Sequence, residues 1–184
     1  MNREALIVGL IGFKNSGKTS ITKEYITCFN YKTKMIGFSN PLYEMLGVLG
    51  ISIEEIQDKP RRDLPDERLG GKSIQFALNS LGTDWGRKMI YENIWTDIAL
   101  NSAQNGIVNI ADNVRFPNEF EGVKKRNGIT VAIINPNVKD DGTAPEAYIE
   151  SLQKKADYTI FNDPAEKTLL QAASELDTII NINI

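Results

Sequence analysis

The chain has 184 residues, 41% hydrophobic and 24% charged, with a formal net charge of -3. That balance fits a globular protein and excludes the basic footprint of a dedicated nucleic-acid binder, while allowing a local basic pocket for small phosphates. With no histidine and one cysteine, it also excludes histidine triads, histidine general bases, internal disulfides and cysteine-based zinc clusters, leaving carboxylates, lysines, arginines and hydroxyls for any chemistry.

Residues 5–11, nearly all apolar and closed by Gly12, predict a strand buried on both faces. Helical character follows over 17–29, which makes Cys28 a packed core thiol in expectation. Short apolar runs at 35–38, 107–111, 130–134 and 158–161 predict further strands. Between them, 41–49, 74–104 with a break near Asn93, 117–127, 145–155 and 165–176 predict helices. Asp163-Pro164 reads as the start of the last one, with proline near the first helical position. Strands alternating with helices predict a parallel sheet covered on both faces, in one domain spanning 1–184. Two polar segments, 58–73 and 135–145, read as exposed loops, and long loops are where lids and substrate contacts tend to lie. No apolar run approaches the roughly 20 residues of a membrane span, and the opening residues do not form a signal peptide. A cytoplasmic location is therefore expected.

Gly12-x-x-x-x-Gly17-Lys18-Thr19 satisfies the P-loop pattern at every required position. Glycines let the backbone curl so that successive N–H groups face phosphate oxygens, and the helix that follows adds the positive end of its dipole. ATP contacts are expected from Lys14, Asn15, Ser16, Gly17, Lys18, Thr19 and Ser20. Lys18 would neutralise the β- and γ-phosphates, and Thr19 would bind Mg²⁺ through its hydroxyl. The strand at 107–111 runs into Asp112, placed as a second Mg²⁺ partner beside the P-loop strand.

A P-loop alone leaves the reaction open. A GTP-binding switch would carry Asp-x-x-Gly after this strand, where the chain has Asp112-Asn-Val-Arg115. Asn137-Val-Lys-Asp140 imitates a guanine-reading tetrad with its lysine one place late. A kinase of another small acceptor and a nucleotide-binding module without turnover also remain open.

Ser73-Ile-Gln-Phe-Ala-Leu-Asn-Ser-Leu-Gly-Thr-Asp-Trp-Gly-Arg87, then Ile94-Trp95, then Asp112-Asn-Val-Arg-Phe-Pro-Asn-Glu119 resemble the phage-type deoxynucleoside monophosphate kinases. The resemblance runs from the P-loop to about Asn162. It implies the P-loop kinase fold, a three-layer α/β/α arrangement with about five parallel strands, and transfer of the γ-phosphoryl of ATP to a deoxynucleoside monophosphate. It also implies phosphate roles for Arg87 and Arg115, which with Lys18 form the expected catalytic set. Acceptor contacts are implied from Ser39, Gln75, Asn79, Thr83, Arg87 and Arg115. The partners are then small nucleotides, with Mg²⁺ as cofactor and neither nucleic acid nor membrane; a homodimer is compatible. A phage origin would place the protein in the host cytoplasm. The chain departs from the family at Tyr43, Gln75, Asn79 and Asn113, and lacks the family's histidine near 143–151. Those departures leave the preferred base open. Trp85 and Trp95 are read as core residues before base-stacking ones.

Overall fold

The computed structural model describes residues 5–29, 31–139, 142 and 146–184. In chain order it runs β1 (Leu6–Ile11), α1 (Lys18–Cys28), β2 (Thr33–Met35), α2 (Asn40–Val48), α3 (Ile53–Gln57), α4 (Lys59–Asp63), β3 (Pro65–Asp66) and β4 (Lys72–Ser73). There follow α5 (Ile74–Asn79), a π-helix (Ser80–Ile90), α6 (Ile94–Asn101), β5 (Val108–Val114), α7 (Pro117–Lys125), β6 (Ile129–Ile134), α8 (Ile149–Gln153), β7 (Tyr158–Phe161) and α9 (Leu169–Ile182). The chain forms two compact units, Met1–Gly37 with Ser102–Ile184, and Phe38–Asn101. No helix among the described residues is long and apolar enough to cross a membrane.

The first unit is the expected three-layer arrangement. Its sheet has five parallel strands in the order β2-β5-β1-β6-β7. Val8 and Leu10 of β1 point to one face, where they join Ile110, Val131 and Ile133 beneath Ile21 and Tyr25 of α1 and Ala173 and Leu176 of α9. Gly9 points to the other face, where a Cβ would lie 3.1 Å from Val114 and 3.3 Å from Val123 of α7. Apolar residues face both ways from the central strands, so the alternation that marks a half-exposed strand is missing from their sequence.

Several elements differ from expectation, among them the helix expected over 145–155, which is formed only at Ile149–Gln153 among the described residues. The strand expected at 35–38 pairs earlier, at 33–35. The last helix does not start at Asp163-Pro164. It starts after Thr168, whose side chain accepts from Gln171 N in a capping box, and two orphan N–H groups satisfied at once outweigh one favourable proline. Cys28 is exposed and donates to Glu24. At the end of α1 the chain turns inward on the half-buried Phe29, which stacks on Tyr25, and the thiol is left outside. Finally, β5 continues past Ala111 to Val114. Gly9 pairs with Ala111 and Ile11 with Val114, so two steps on β1 span three on β5, a one-residue bulge at Asp112-Asn113.

The second unit shows why residues 58–73 are more than an exposed loop. Asp66, buried at 4% exposure, receives side-chain hydrogen bonds from Arg68 at 2.6 and 2.9 Å and another from Arg61, and Glu55 also pairs with both arginines. The Arg68 bonds, with Arg61 after them, hold the Asp66 carboxyl far below the usual carboxylate range despite its burial. The charges that suggested solvation satisfy one another, and the segment folds around them as α4, a 3₁₀ turn and a short hairpin.

The same unit contains the Leu-Gly-Thr block. Its 11-residue π-helix brings Gly82 and Gly86 to the inside, and the Tyr91 N–H reaches back five residues to Gly86 O at 2.9 Å. Trp95, 3% exposed, donates its indole N–H to Gly82 O at 2.7 Å. A Cβ on Gly86 would collide with the indole ring. Trp95 is thus core, as expected, while Trp85 packs against it half-exposed. Gly86→Ala keeps an allowed backbone but overpacks this contact. It is expected to cost about 1–3 kcal/mol, measured as a lower denaturation midpoint. A midpoint equal to the parent's would show that the ring moves aside freely.

Candidate active site

The P-loop follows β1. Asn15 (φ 65°) and Gly17 (φ 99°) adopt the left-handed conformation that curls it. A Cβ on Gly12 would lie 2.6 Å from Ile133 O and 2.5 Å from Ser16 Oγ, which requires glycine for the close approach to β6. Lys18 opens α1, buried at 7% exposure. Its ammonium donates to Gly12 O at 2.6 Å, Phe13 O at 2.8 Å and Ser16 Oγ at 3.4 Å.

The bulge in β5 sets the other wall. Thr19 Oγ1 donates to Asp112 Oδ2 at 2.9 Å, so the two residues expected to hold Mg²⁺ meet, although Asp112 lies within the strand rather than after it. Arg115 donates through Nε to Asn113 Oδ1 at 2.5 Å. The buried Glu119 carboxylate accepts from Arg115 N at 2.8 Å and Phe116 N at 3.2 Å. This resolves the Val-Arg-Phe-Pro-Asn-Glu block: Val114 is core, Pro117 opens α7, Glu119 caps it, and Arg115 is left for the pocket.

That pocket, about 580 Å³, is lined by Lys14, Asn15, Gly17, Lys18, Thr19, Ser20, Asp112, Asn113 and Arg115. Ser16, at 2% exposure, lies behind it. Burial first, then Arg115, pushes the Lys18 ammonium down to about 8, against the opposing pull of Asp112 and Glu146. A smaller cavity of about 330 Å³ lies at the opposite sheet end, lined in part by Leu6, Lys32 and Val108; it contains none of the P-loop. Among the described residues no three acidic or cysteine side chains gather to hold a metal by themselves. A hydroxyl and one carboxylate beside a phosphate cradle instead suit Mg²⁺ shared with nucleotide phosphates.

The remaining expected contacts lie in the second unit. Ser39 occupies the N-cap position of α2. Gln75 Nε2 donates to Asn79 Oδ1 at 2.8 Å. Thr83 is exposed and Arg87 half-buried on the π-helix. Gln75, Asn79, Thr83 and Arg87 recur every four residues along this helical stretch. Of the guanine-like tetrad, Asp140 lies outside the described residues, as do 141 and 143–145 of the second polar segment.

Two residues of the site escape sequence reading. Glu146, buried at 2% exposure, accepts from Lys14 N at 2.5 Å, and Asn162 Nδ2 donates to Ser16 O at 2.8 Å. Glu146 falls at the start of the helix expected over 145–155 and Asn162 directly after the strand expected at 158–161, and neither position carries a local sign of a contact to the P-loop.

The fold is that of the P-loop kinases. Shikimate kinase from Aquifex aeolicus vf5 aligns over 97% of this chain and 98% of its own, with a TM-score of 0.52 at 18% identity. Dephospho-CoA kinase from Campylobacter jejuni aligns over 97% and 98%, with a TM-score of 0.53 at 15% identity. No family model matches the chain. In sequence, the chain is 27% identical over 196 residues to a protein of Acanthamoeba polyphaga mimivirus described as "Putative deoxynucleotide monophosphate kinase", covering 97% of this chain and 100% of that one. The resemblance read from the motif blocks is borne out by this relative.

Proposed function

We propose that the chain is a single-domain, Mg²⁺-dependent kinase that transfers the γ-phosphoryl of ATP to a deoxynucleoside monophosphate. The observation that carries phosphoryl transfer is the convergence of Lys18, the Thr19–Asp112 pair and Arg115 on one pocket beside the P-loop. The choice of acceptor rests on the motif blocks and on the mimivirus relative.

In the transfer, the bond between the γ-phosphorus and its bridging oxygen breaks, leaving ADP. A new bond forms to a phosphate oxygen of the acceptor, giving the deoxynucleoside diphosphate. The acceptor oxygen is already anionic, so no general base is needed, which suits a chain without histidine. The protein has to align the two nucleotides and surround the migrating charge with cations. Lys18 and the P-loop amides hold the β- and γ-phosphates. Arg115 pairs with the transferred group, and Arg87 with the acceptor phosphate, because a guanidinium fork grips two oxygens at once. Thr19 and Asp112 would hold Mg²⁺, which would supply positive charge to neutralise the triphosphate. Ser39, Gln75, Asn79 and Thr83 are the proposed remaining contacts to the acceptor. Residues 58–73 and 135–145 are the segments proposed to exclude water.

The test is incubation with ATP and Mg²⁺ plus each of the four deoxynucleoside monophosphates, with products resolved by ion-exchange chromatography. A diphosphate from at least one acceptor is expected. ADP formation with other small acceptors only would redirect the function to another kinase of this fold. Binding of GTP analogues in preference to ATP analogues, with no transfer, would favour a switch protein.

A further inference from the structure

The P-loop is held from behind by two buried side chains that do not line the pocket. Glu146 precedes α8, whose Ile149 and Leu152 are buried, and Ile149 N bonds Glu146 O at 3.0 Å. Its carboxylate therefore meets the Lys14 N–H from an anchored position. Asn162 directly follows β7 and is fixed by its own N–H to Ile134 O at 2.8 Å. Its side-chain amide bonds Ser16 O and fills the space a Cβ on Gly17 would need. One contact thus holds a donor early in the loop and the other an acceptor at its end, and both come from elements packed on the sheet.

We propose that Glu146 and Asn162 are positioning residues that clamp the two ends of the P-loop and pre-shape its phosphate cradle. A loop curled through two left-handed residues loses conformational freedom whenever it orders. Hydrogen bonds that order it before the ligand arrives remove that cost from binding. The bond to Glu146 is charge-assisted, the stronger kind. Asn162 explains why position 17 rejects a side chain for reasons of space as well as of conformation. This inference rests on the reading of the loop as a triphosphate site.

The test compares Glu146→Gln, Glu146→Ala and Asn162→Ala with the parent protein. The readouts are calorimetric affinity for a non-hydrolysable ATP analogue with Mg²⁺, the thermal midpoint, and the Lys14 amide resonance in ¹⁵N-resolved spectra without nucleotide. Glu146→Ala and Asn162→Ala are each expected to weaken the analogue about tenfold, roughly one hydrogen bond's worth. Glu146→Gln, whose amide oxygen still accepts the N–H, should stay within about threefold of the parent. The Lys14 amide proton should resonate at low field in the parent and move upfield in Glu146→Ala. Parent-like affinity in folded Glu146→Ala or Asn162→Ala would overturn the clamp, as would a loss in Glu146→Gln equal to that in Glu146→Ala. If the parent binds no analogue, the reading of the loop as a triphosphate site fails by itself. The clamp is then decided by the Lys14 resonance, and an identical position in parent and Glu146→Ala would overturn it.

Discussion

Lys18→Ala is expected to abolish phosphoryl transfer, with kcat reduced by at least about 10³-fold. The side chain is enclosed at 7% exposure and its ammonium is held by Gly12 O and Phe13 O at the lip of the cradle. On the proposed reading a cation placed there would meet the β- and γ-oxygens, and a favourable charge contact of this kind is worth several kcal/mol in the transition state. Burial and Arg115 lower its pKa to about 8, so the ammonium is charged below that pH and neutral above it. Affinity of the free protein for a triphosphate should accordingly fall as pH rises through about 8, and the alanine variant should lose that limb. Steady-state rates and analogue affinity across this range check both points, with circular dichroism to confirm folding. Parent-like turnover in the variant would remove Lys18 from the mechanism.

Asp112→Asn is expected to have the next largest effect. The substitution keeps the shape and leaves an oxygen able to accept from Thr19, but it removes the carboxylate charge from the only strand-borne acid lining the pocket among the described residues. Shared metal sites depend on that charge, since Mg²⁺ sheds its water reluctantly and binds through few protein ligands. The Mg²⁺ concentration for half-maximal rate should rise about tenfold or more, and kcat at fixed Mg²⁺ should fall about 10²-fold. Titrating activity against Mg²⁺ separates the two. An unchanged Mg²⁺ requirement would return Asp112 to a purely structural role with Thr19.

The P-loop half of this site was legible in the sequence because a P-loop packs its residues into eight consecutive positions with a strict glycine spacing. The central strands were legible for a similar reason, since burial on both faces makes β1 and β6 nearly continuous apolar runs. The edge strand β2, by contrast, is Thr33-Lys34-Met35, with no buried residue, and pairs ahead of the apolar run that suggested it. What failed to show depends on partners distant in sequence. Glu146 reaches Lys14 across 132 residues and Asn162 reaches Ser16 across 146, and no local pattern announces such pairs. The arginines and acids of 55–68 look solvated one by one and become a folded cluster only when seen together. Cys28 is exposed: a place in a helix does not by itself fix whether a side chain faces the sheet.

The bulge in β5 has a consequence beyond aiming Asp112. Ile110 lies on the α1 and α9 face, whereas Val114, four residues on, lies on the other, where it and Val123 flank the position a Cβ on Gly9 would take. Even spacing in a regular strand would keep them on the same side. The extra residue therefore resets the phase of the strand, sending Val114 inward on the far face and leaving Arg115 to the pocket. Were the same residues paired without the bulge, Asn113 would stand opposite Ile11 and those two destinations would be exchanged. A locally more regular strand would then bury a guanidinium and expose a valine, so the irregularity is what lets one short segment serve core and chemistry in adjacent residues.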